Sequence, residues 1–190
     1  PSTSSTLANF LNSCIDKNLI TSESKICFVD DASKDKTWNK IEEIISSNRR
    51  CTGIKLSRNF GHQAAILAGL LESINLFELY ITIDADLQDD VEAMKEMLQK
   101  NKEGANIVYG VRNDRSSDSF FKRSTAETFY RLMQRMGVPI IFNHTDFRLM
   151  DNKVLQNFSR YKEVNLFIRG IIPSIGFNTE KVYYQRLPRK

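Results

Sequence analysis

The stretch Leu79-Tyr-Ile-Thr-Ile83, followed directly by Asp84-Ala-Asp86, sets the framework of this sequence. The first five residues are aliphatic, aromatic or β-branched, which is typical of a short buried strand. Where a strand ends, the regular alternation of side chains stops, so two carboxylates one residue apart can reach the same ion. Mg²⁺ and Mn²⁺ prefer hard oxygen ligands of this kind, completed by substrate phosphates. The stretch therefore predicts a metal–diphosphate anchor at Asp84 and Asp86, with a solvated turn or helix cap as the alternative.

The rest of the chain alternates strand-like and helical patterns around this stretch. Strands are predicted at Lys25–Val29, Gly53–Leu56, Leu79–Ile83 and Ala105–Val111. Helical periodicity predicts helices at about Leu7–Lys17, at Thr37–Ser47, from near His62, from about Val91 to Glu103, and through Phe129, Leu132, Met133 and Met136. Such alternation predicts an α/β fold with a mostly parallel sheet, whose ligands bind beyond the carboxyl ends of the strands.

A second acidic pair, Asp30-Asp31, follows the first predicted strand. A carboxylate in this position can accept hydrogen bonds from a nucleobase imide or a ribose hydroxyl. The alternative is a turn at the strand end, with Asp35 or Thr37 capping the next helix. Two acidic pairs at predicted strand ends are more informative together than either is alone.

Composition and charge restrict the class of protein. The chain has 190 residues, with 41% hydrophobic and 26% charged side chains, which predicts one globular domain with a substantial core. A formal net charge of +4 suits a phosphate-bearing ligand or an anionic surface and gives no reason to expect nucleic acid as a partner. Three cysteines without CxxC spacing favour a reducing compartment.

Several other functions of an Asp-x-Asp pattern are disfavoured. An EF-hand loop starting at Asp84 requires Gly and Glu where Asp89 and Lys95 stand. Haloacid-dehalogenase-type phosphatases usually have Thr or Val where Gln88 stands, so a metal-dependent phosphatase is the weaker alternative. The chain contains neither a GxGxxG fingerprint nor a P-loop, and two histidines are too few for a histidine metal cluster.

Several segments in the right order resemble family-2 glycosyltransferases, and especially the polyprenyl-phosphate sugar transferases. The resemblance extends from about Lys25 to Arg189 and is carried by Phe28-Val-Asp-Asp-Ala-Ser-Lys-Asp-Lys-Thr-Trp38, Ser57-Arg-Asn-Phe-Gly-His-Gln-Ala-Ala65, Asp84-Ala-Asp-Leu-Gln-Asp89, Tyr109-Gly-Val-Arg112, Phe121-Lys-Arg123 and Thr145-Asp-Phe-Arg-Leu149. It implies a GT-A fold, a Rossmann-like three-layer sandwich with a mostly parallel central sheet.

The resemblance also implies an inverting transferase that uses Mg²⁺ or Mn²⁺. Its donor would be a nucleotide-diphosphate sugar, with UDP-sugars favoured over GDP-mannose, and its acceptor a polyprenyl phosphate. In this assignment Asp30, Asp31 and Asp84 bind the nucleotide sugar, and Asp84 and Asp86 bind the metal. Asp146 matches the proposed catalytic base, although it could instead orient the acceptor or form a structural contact with Arg148.

Basic residues after the fourth predicted strand are candidates for binding the acceptor phosphate. Arginine has a planar fork of donors that matches phosphate oxygens, and Arg112 and Arg123 are the predicted ligands. A solvated basic surface is the alternative.

The resemblance places residues 1–190 within a single catalytic domain. The family's opening strand before Pro1 and its membrane region after Lys190 are absent from this sequence. We therefore expect attachment to the cytoplasmic face of a membrane through regions outside this chain. The apolar C-terminal third is expected to form core, with a membrane-surface helix as the alternative. A non-catalytic nucleotide-sugar-binding domain and a transferase acting on a polysaccharide remain alternatives, and the sequence does not reveal the oligomeric state.

Overall fold

The structure, a computed structural model, describes residues 3–113, 144–161 and 168–188. In these ranges the helices and strands follow one another in the order α1 (Thr3–Asp16), β1 (Ile26–Asp30), α2 (Thr37–Ser47), β2 (Cys51–Lys55), α3 (His62–Glu72), β3 (Leu79–Thr82), α4 (Ala93–Lys102), β4 (Ile107–Arg112), β5 (His144–Asp151), α5 (Asn152–Phe158), α6 (Ile168–Ser174) and β6 (Thr179–Tyr184). The chain divides into two compact units, Pro1–Glu78 and Leu79–Lys190.

The first unit is built on a parallel pair of strands, in which β1 and β2 align from Ile26 opposite Cys51 to Asp30 opposite Lys55. Helix α3 packs on β1, and α2 packs mainly on β2. A Cβ atom at Gly53 would lie 2.8 Å from Ile45 and 2.9 Å from Ile41, so glycine permits the close approach of α2. The acidic pair thus follows a strand that helices hold in place.

The second unit contains a mixed sheet with strand order β3-β5-β4-β6. Strand β5 is antiparallel to both β3 and β4, and β6 is parallel to β4. Strands β3, β4 and β6 therefore run in one direction, and β5 alone runs in the opposite one. Their three carboxyl ends and the amino end of β5 meet at one edge of this sheet, which we call the carboxyl edge.

A bulge interrupts the pairing of β4 with β5 at this edge. Tyr109 pairs with Arg148 and Val111 pairs with His144, so residues 145–147 of β5 lie opposite Gly110 alone. A Cβ atom at Gly110 would come within 2.6 Å of the Phe147 ring, which explains why glycine occupies this position. The bulge sets the position of Asp146, one of its residues.

The core of the second unit lies between the sheet and its helices. Residues Ile107, Val108, Tyr109 and Leu149 are fully buried in β4 and β5, and α4 contributes Met97. The apolar C-terminal part also supplies core, because Phe158, Ile168 and Ile172 are buried. Within the described ranges, the structure has no helix that is both long enough and apolar enough to cross a bilayer.

The α/β class is confirmed, and each predicted strand lies within two residues of its expected bounds. Helix α2 has the predicted bounds, and α3 begins at His62 as expected. The predicted start of the first helix, near Leu7, is wrong, because α1 already begins at Thr3. Ser and Thr are only weakly unfavourable in helices, and packing of Phe10 and Cys14 from α1 outweighs that preference. The helix predicted around residues 129–136 falls outside the described residues.

Candidate active site

The Asp84-Ala-Asp86 segment forms a tight turn immediately beyond β3. The backbone N–H of Leu87 donates to the carbonyl oxygen of Asp84 over 3.1 Å, and Leu87 has a left-handed φ of 46°. The Asp86 carboxylate accepts a hydrogen bond of 3.2 Å from the backbone N–H of Gln88. Asp84 is half-buried and Asp86 is exposed. The turn therefore presents Asp86 to solvent at the carboxyl edge.

The chemistry of this turn fits a divalent cation that completes its coordination with substrate. A carboxylate has about four acceptor positions, and the bond from Gln88 occupies one of those on Asp86. Among the described residues no group of three or more His, Cys, Asp or Glu side chains is placed to bind a metal. Two carboxylates with phosphate oxygens and water form the kind of site that Mg²⁺ favours over a cage made of protein alone.

Asp89, five residues after Asp84, lies in a different environment. It is 1% exposed, and its Oδ1 accepts hydrogen bonds from the Tyr184 hydroxyl at 2.5 Å and from Nη2 of Arg112 at 3.1 Å. Nε of Arg112 also donates to the Tyr184 hydroxyl at 3.3 Å. The other carboxylate oxygen of Asp89 is buried and has no hydrogen-bond partner within the described part of the chain. Asp89 and Tyr184 together hold Arg112 at the end of β4.

The pKa values of Arg112 and Tyr184 are both raised in this environment. Burial, with the hydrogen bond to Asp89, raises the pKa of Tyr184 to about 12. Burial by itself lowers the pKa of Arg112, but its contacts with Tyr184 and Asp89 outweigh that effect and raise the pKa above the usual value. Arg112 therefore retains its positive charge in a partly buried position.

Asp146, on the bulge of β5, is ion-paired with two arginines. Its Oδ1 lies 2.6 Å from Nη2 of Arg148 and 3.1 Å from Nε of Arg169, and its Oδ2 lies 2.7 Å from Nη2 of Arg169. Asp146 and Arg148 are 4% and 1% exposed, whereas the Arg169 side chain is 42% exposed. The contact with Arg148 that the sequence offered as an alternative for Asp146 is thus present, together with a second contact.

Two further contacts fix the backbone around Asp146. The hydroxyl of Thr82, the last residue of β3, donates to the carbonyl oxygen of Asp146. The neighbouring Thr145 has its hydroxyl 3.4 Å from that of Tyr184. Through Thr145 and Asp146, the cluster around Arg112 and the cluster around Arg169 are connected along one short segment of β5.

The acidic pair of the first unit is bound to its own loops. Both oxygens of Asp30, which is buried, lie 3.3 Å from the backbone N–H of Ser33, whose hydroxyl also donates to it. Asp31 accepts backbone hydrogen bonds of 2.8 Å from Phe60 and Gly61, and thereby ties the loop before α3 to the end of β1. Asp35 accepts a hydrogen bond of 2.9 Å from the backbone N–H of Thr37, the first residue of α2, although the N-cap residue itself is Lys36.

Comparison with known proteins identifies the family. A family model described as "Glycosyl transferase family 2" matches residues 3–158. The chain belongs to glycosyl transferase family 2. This confirms the resemblance drawn from the motifs, together with the GT-A fold that the resemblance implied.

The curated relatives of this chain are longer than the chain itself. "Uncharacterized glycosyltransferase YkoT" of Bacillus subtilis is 49% identical over 98% of this chain and 56% of its own length. "Bactoprenol glucosyl transferase" of Shigella phage SfX is 38% identical over 88% of this chain and 54% of its own length. The "Prophage bactoprenol glucosyl transferase homolog" of Escherichia coli is likewise 38% identical over 88% of this chain and 54% of its own length. The chain spans about half the length of these curated relatives.

For this family-2 glycosyltransferase, the sequence indicated some site residues and missed others. Asp84, Asp86, Arg112 and Asp146 all belong to the second unit, whereas Arg123 lies outside the described residues. Sequence reasoning gave no role to Asp89, Tyr184 or Arg169 as contacts of those residues. Asp89 ends the Asp84-Ala-Asp-Leu-Gln-Asp89 motif and could have been found by its spacing, but nothing local marks Tyr184 or Arg169.

Proposed function

We propose that this domain transfers a sugar from a nucleotide-diphosphate sugar, preferably a UDP-sugar, to a polyprenyl phosphate. The observation that carries the proposal is the Asp84-Ala-Asp86 turn, with Asp86 exposed beyond the carboxyl end of β3, in a family-2 chain. Similarity to proteins named bactoprenol glucosyl transferase supports the choice of acceptor.

In the proposed reaction an oxygen of the acceptor phosphate attacks the anomeric carbon of the donor sugar. The bond between that carbon and the diphosphate oxygen breaks, its electron pair leaves with the nucleoside diphosphate, and the anomeric configuration inverts. Negative charge therefore grows on the leaving group. A divalent cation bound by Asp84 and Asp86, when present, supplies Lewis-acid stabilisation of that charge.

For donor binding, we propose that Asp84 faces the diphosphate and that Asp30 and Asp31 serve the nucleoside. The bonds from Phe60 and Gly61 leave acceptor positions on the Asp31 carboxylate. Asp31 would then have two functions, because it also fixes the backbone of the loop that precedes α3.

For acceptor binding, we propose Arg112 and, as predicted from the sequence alone, Arg123. Arg112 is a charged guanidinium held by Asp89 and Tyr184, so little side-chain entropy is lost when it binds a phosphate. A polyprenyl acceptor resides in a bilayer, and three cysteines without CxxC spacing favour a reducing compartment, so we propose that the reaction takes place at the cytoplasmic face of a membrane.

Asp146 is the predicted catalytic base, but an orienting role fits its contacts better. The second pKa of a phosphate monoester is near ~6, so the acceptor is largely ionised at neutral pH and hardly needs a base. Protonating Asp146 would also leave two guanidinium groups beside a neutral carboxyl group, and Arg148 is buried.

The test is incubation of the full-length protein with Mg²⁺ or Mn²⁺, a panel of nucleotide sugars and polyprenyl phosphate. A polyprenyl-phosphate sugar detected by mass spectrometry, with one nucleoside diphosphate released per product, is the expected result. Donor binding without turnover would instead identify a non-catalytic binding domain. Transfer to a polysaccharide alone would contradict the lipid acceptor, and release of inorganic phosphate without sugar transfer would indicate a phosphatase.

A further inference from the structure

We propose that Arg169 binds the phosphate of the acceptor and that Asp146 is the positioning residue that holds it in place. This inference rests on the proposed function, because it assigns a binding residue for the phosphate of the same acceptor. It gives Asp146 a role that requires no proton transfer.

The first argument is the burial of the cluster formed by Asp146, Arg148 and Arg169. In this cluster one carboxylate pairs with two guanidinium groups. Arg148 is 1% exposed, and a buried cation requires a counter-ion, which Asp146 supplies at 2.6 Å. Because Asp146 is also buried, Arg169 is the member of the cluster that an anionic ligand can reach.

The second argument is the geometry of the contact between Asp146 and Arg169. The carboxylate engages the guanidinium along the edge formed by Nε and Nη2, at 3.1 and 2.7 Å. Since a guanidinium group is planar, its Nη1 corner then points away from Asp146. A bidentate carboxylate contact of this kind fixes the orientation of an otherwise flexible side chain and presents donors suited to phosphate oxygens.

The third argument is position in the fold. Asp146 belongs to the bulge at the carboxyl edge, and its carbonyl oxygen accepts from Thr82, two residues before the Asp84-Ala-Asp86 turn. The adjacent Thr145 contacts Tyr184, which binds Arg112. At one edge of the sheet, two buried aspartates, Asp89 and Asp146, thus each hold a partly exposed arginine.

Steady-state kinetics of the full-length protein, with donor and polyprenyl phosphate varied separately, test this inference. Arg169→Ala is expected to raise the KM for the acceptor at least about tenfold, since charge-assisted hydrogen bonds to the phosphate are lost. The KM for the donor should remain within about twofold. Arg169→Lys should recover part of the loss, because it restores the charge without the planar fork. Arg160→Ala, which removes an exposed charge in the same unit, is the control.

Asp146→Asn distinguishes positioning from a purely structural role. If Asp146 acts through Arg169, it should raise the acceptor KM as Arg169→Ala does, and the double variant should be no worse than the more impaired single one. Calorimetry of each variant checks folding, and Arg169→Lys preserves the test if Arg169→Ala does not fold.

The outcomes separate this inference from the proposed function. If the unaltered protein transfers no sugar to polyprenyl phosphate, the proposed acceptor is wrong, and the inference falls with it. If the unaltered protein is active but Arg169→Ala has the same acceptor KM as Arg160→Ala, the proposed function stands and only the role of Arg169 is refuted. Equal increases in the donor and acceptor KM values would also refute it.

Discussion

At the residue scale, aspartates that look alike in the sequence occupy different environments. Asp86 is exposed on a turn, whereas Asp89 and Asp146 are buried and each accepts hydrogen bonds from an arginine. An exposed carboxylate at a strand end is available to a cation. A buried carboxylate between guanidinium groups acts on the orientation of those groups, and its ion pair contributes more to position than to stability.

Tyr184 gives a prediction at this scale. Its pKa is raised to about 12, against an ordinary value near 10. Because the folded state holds this proton more tightly than the unfolded state, the resulting stability is complete below about pH 10 and is lost as the pH rises towards about 12. We expect the free energy of unfolding to fall over that range, and to fall less steeply in Tyr184→Phe.

The measurement is urea unfolding between pH 8 and about pH 11.5. Near neutral pH, Tyr184→Phe should also lower the free energy of unfolding by about 1–3 kcal/mol, because buried Asp89 loses a hydrogen bond. Tyr183→Phe, at a neighbouring exposed position, is the matched control. The same alkaline slope in both variants would show that the Tyr184 hydroxyl is not responsible. Tyr109, whose pKa burial also raises to about 12, and the thiols of Cys27 and Cys51, whose pKa values burial raises, contribute to the slope that remains in Tyr184→Phe.

At the scale of elements, the bulge of β5 has the greatest influence on the candidate active site. It places three residues of β5 opposite Gly110 and so carries Asp146 and Thr145 to the carboxyl edge. Phe147, the third of these residues, packs edge-on against Tyr184 with ring centroids 5.3 Å apart. Packing of the bulge and the contacts of the two arginine clusters are therefore coupled.

Gly110→Ala tests that coupling. The added Cβ would lie 2.6 Å from the Phe147 ring and 3.1 Å from the Tyr184 ring, so we expect the unfolding free energy to fall by about 1–3 kcal/mol. In the double variant Gly110→Ala/Phe147→Leu, the smaller leucine side chain replaces the Phe147 ring. The free energy of unfolding should therefore fall by less than the sum of the losses in the two single variants. Strictly additive losses in thermal or chemical unfolding would mean that contact with the Phe147 ring is not the cause, because the added Cβ also lies 3.0 Å from the Phe147 carbonyl oxygen, which the second substitution leaves in place.

At the scale of the whole molecule, the proposed reaction would depend on a divalent cation for which the protein offers few ligands of its own. The predicted ligands are Asp84 and Asp86, and the described residues provide no third carboxylate, cysteine or histidine grouped with them. Affinity should therefore depend on the diphosphate of the donor, and folding should depend little on the metal.

We expect chelation with EDTA to abolish sugar transfer by the full-length protein, and excess Mg²⁺ or Mn²⁺ to restore it. The midpoint of thermal unfolding should change little without donor, since the cation binds weakly then. Asp86→Ala should resemble the chelated protein at any metal concentration, whereas Glu92→Ala, which removes an exposed carboxylate from the same stretch, should remain active. Wild-type-like turnover of Asp86→Ala in excess Mn²⁺ would refute the metal assignment.

Local sequence was sufficient for the elements around the proposed donor site. Runs of β-branched and apolar residues predicted β1 to β4, and period-3.6 patterns predicted α2 and α3, because both signals arise from which side of one element is buried. The motifs at the strand ends likewise predicted the family, since they are contiguous in the chain. Strand β5 was not predicted, because its alternation is broken by the bulge and includes the buried charges of Asp146 and Arg148.

The contacts that give the site residues their environment required the tertiary structure. Asp89 and Tyr184 are 95 residues apart in sequence, and Asp146 and Arg169 are 23 apart, yet each pair is joined by a short hydrogen bond. No periodicity or spacing encodes such pairs, because they depend on which strands become neighbours and on where β5 bulges. The amino-acid order thus specified the α/β elements, the acidic strand ends and the family, while packing of the mixed sheet decided which carboxylates are exposed and which hold an arginine.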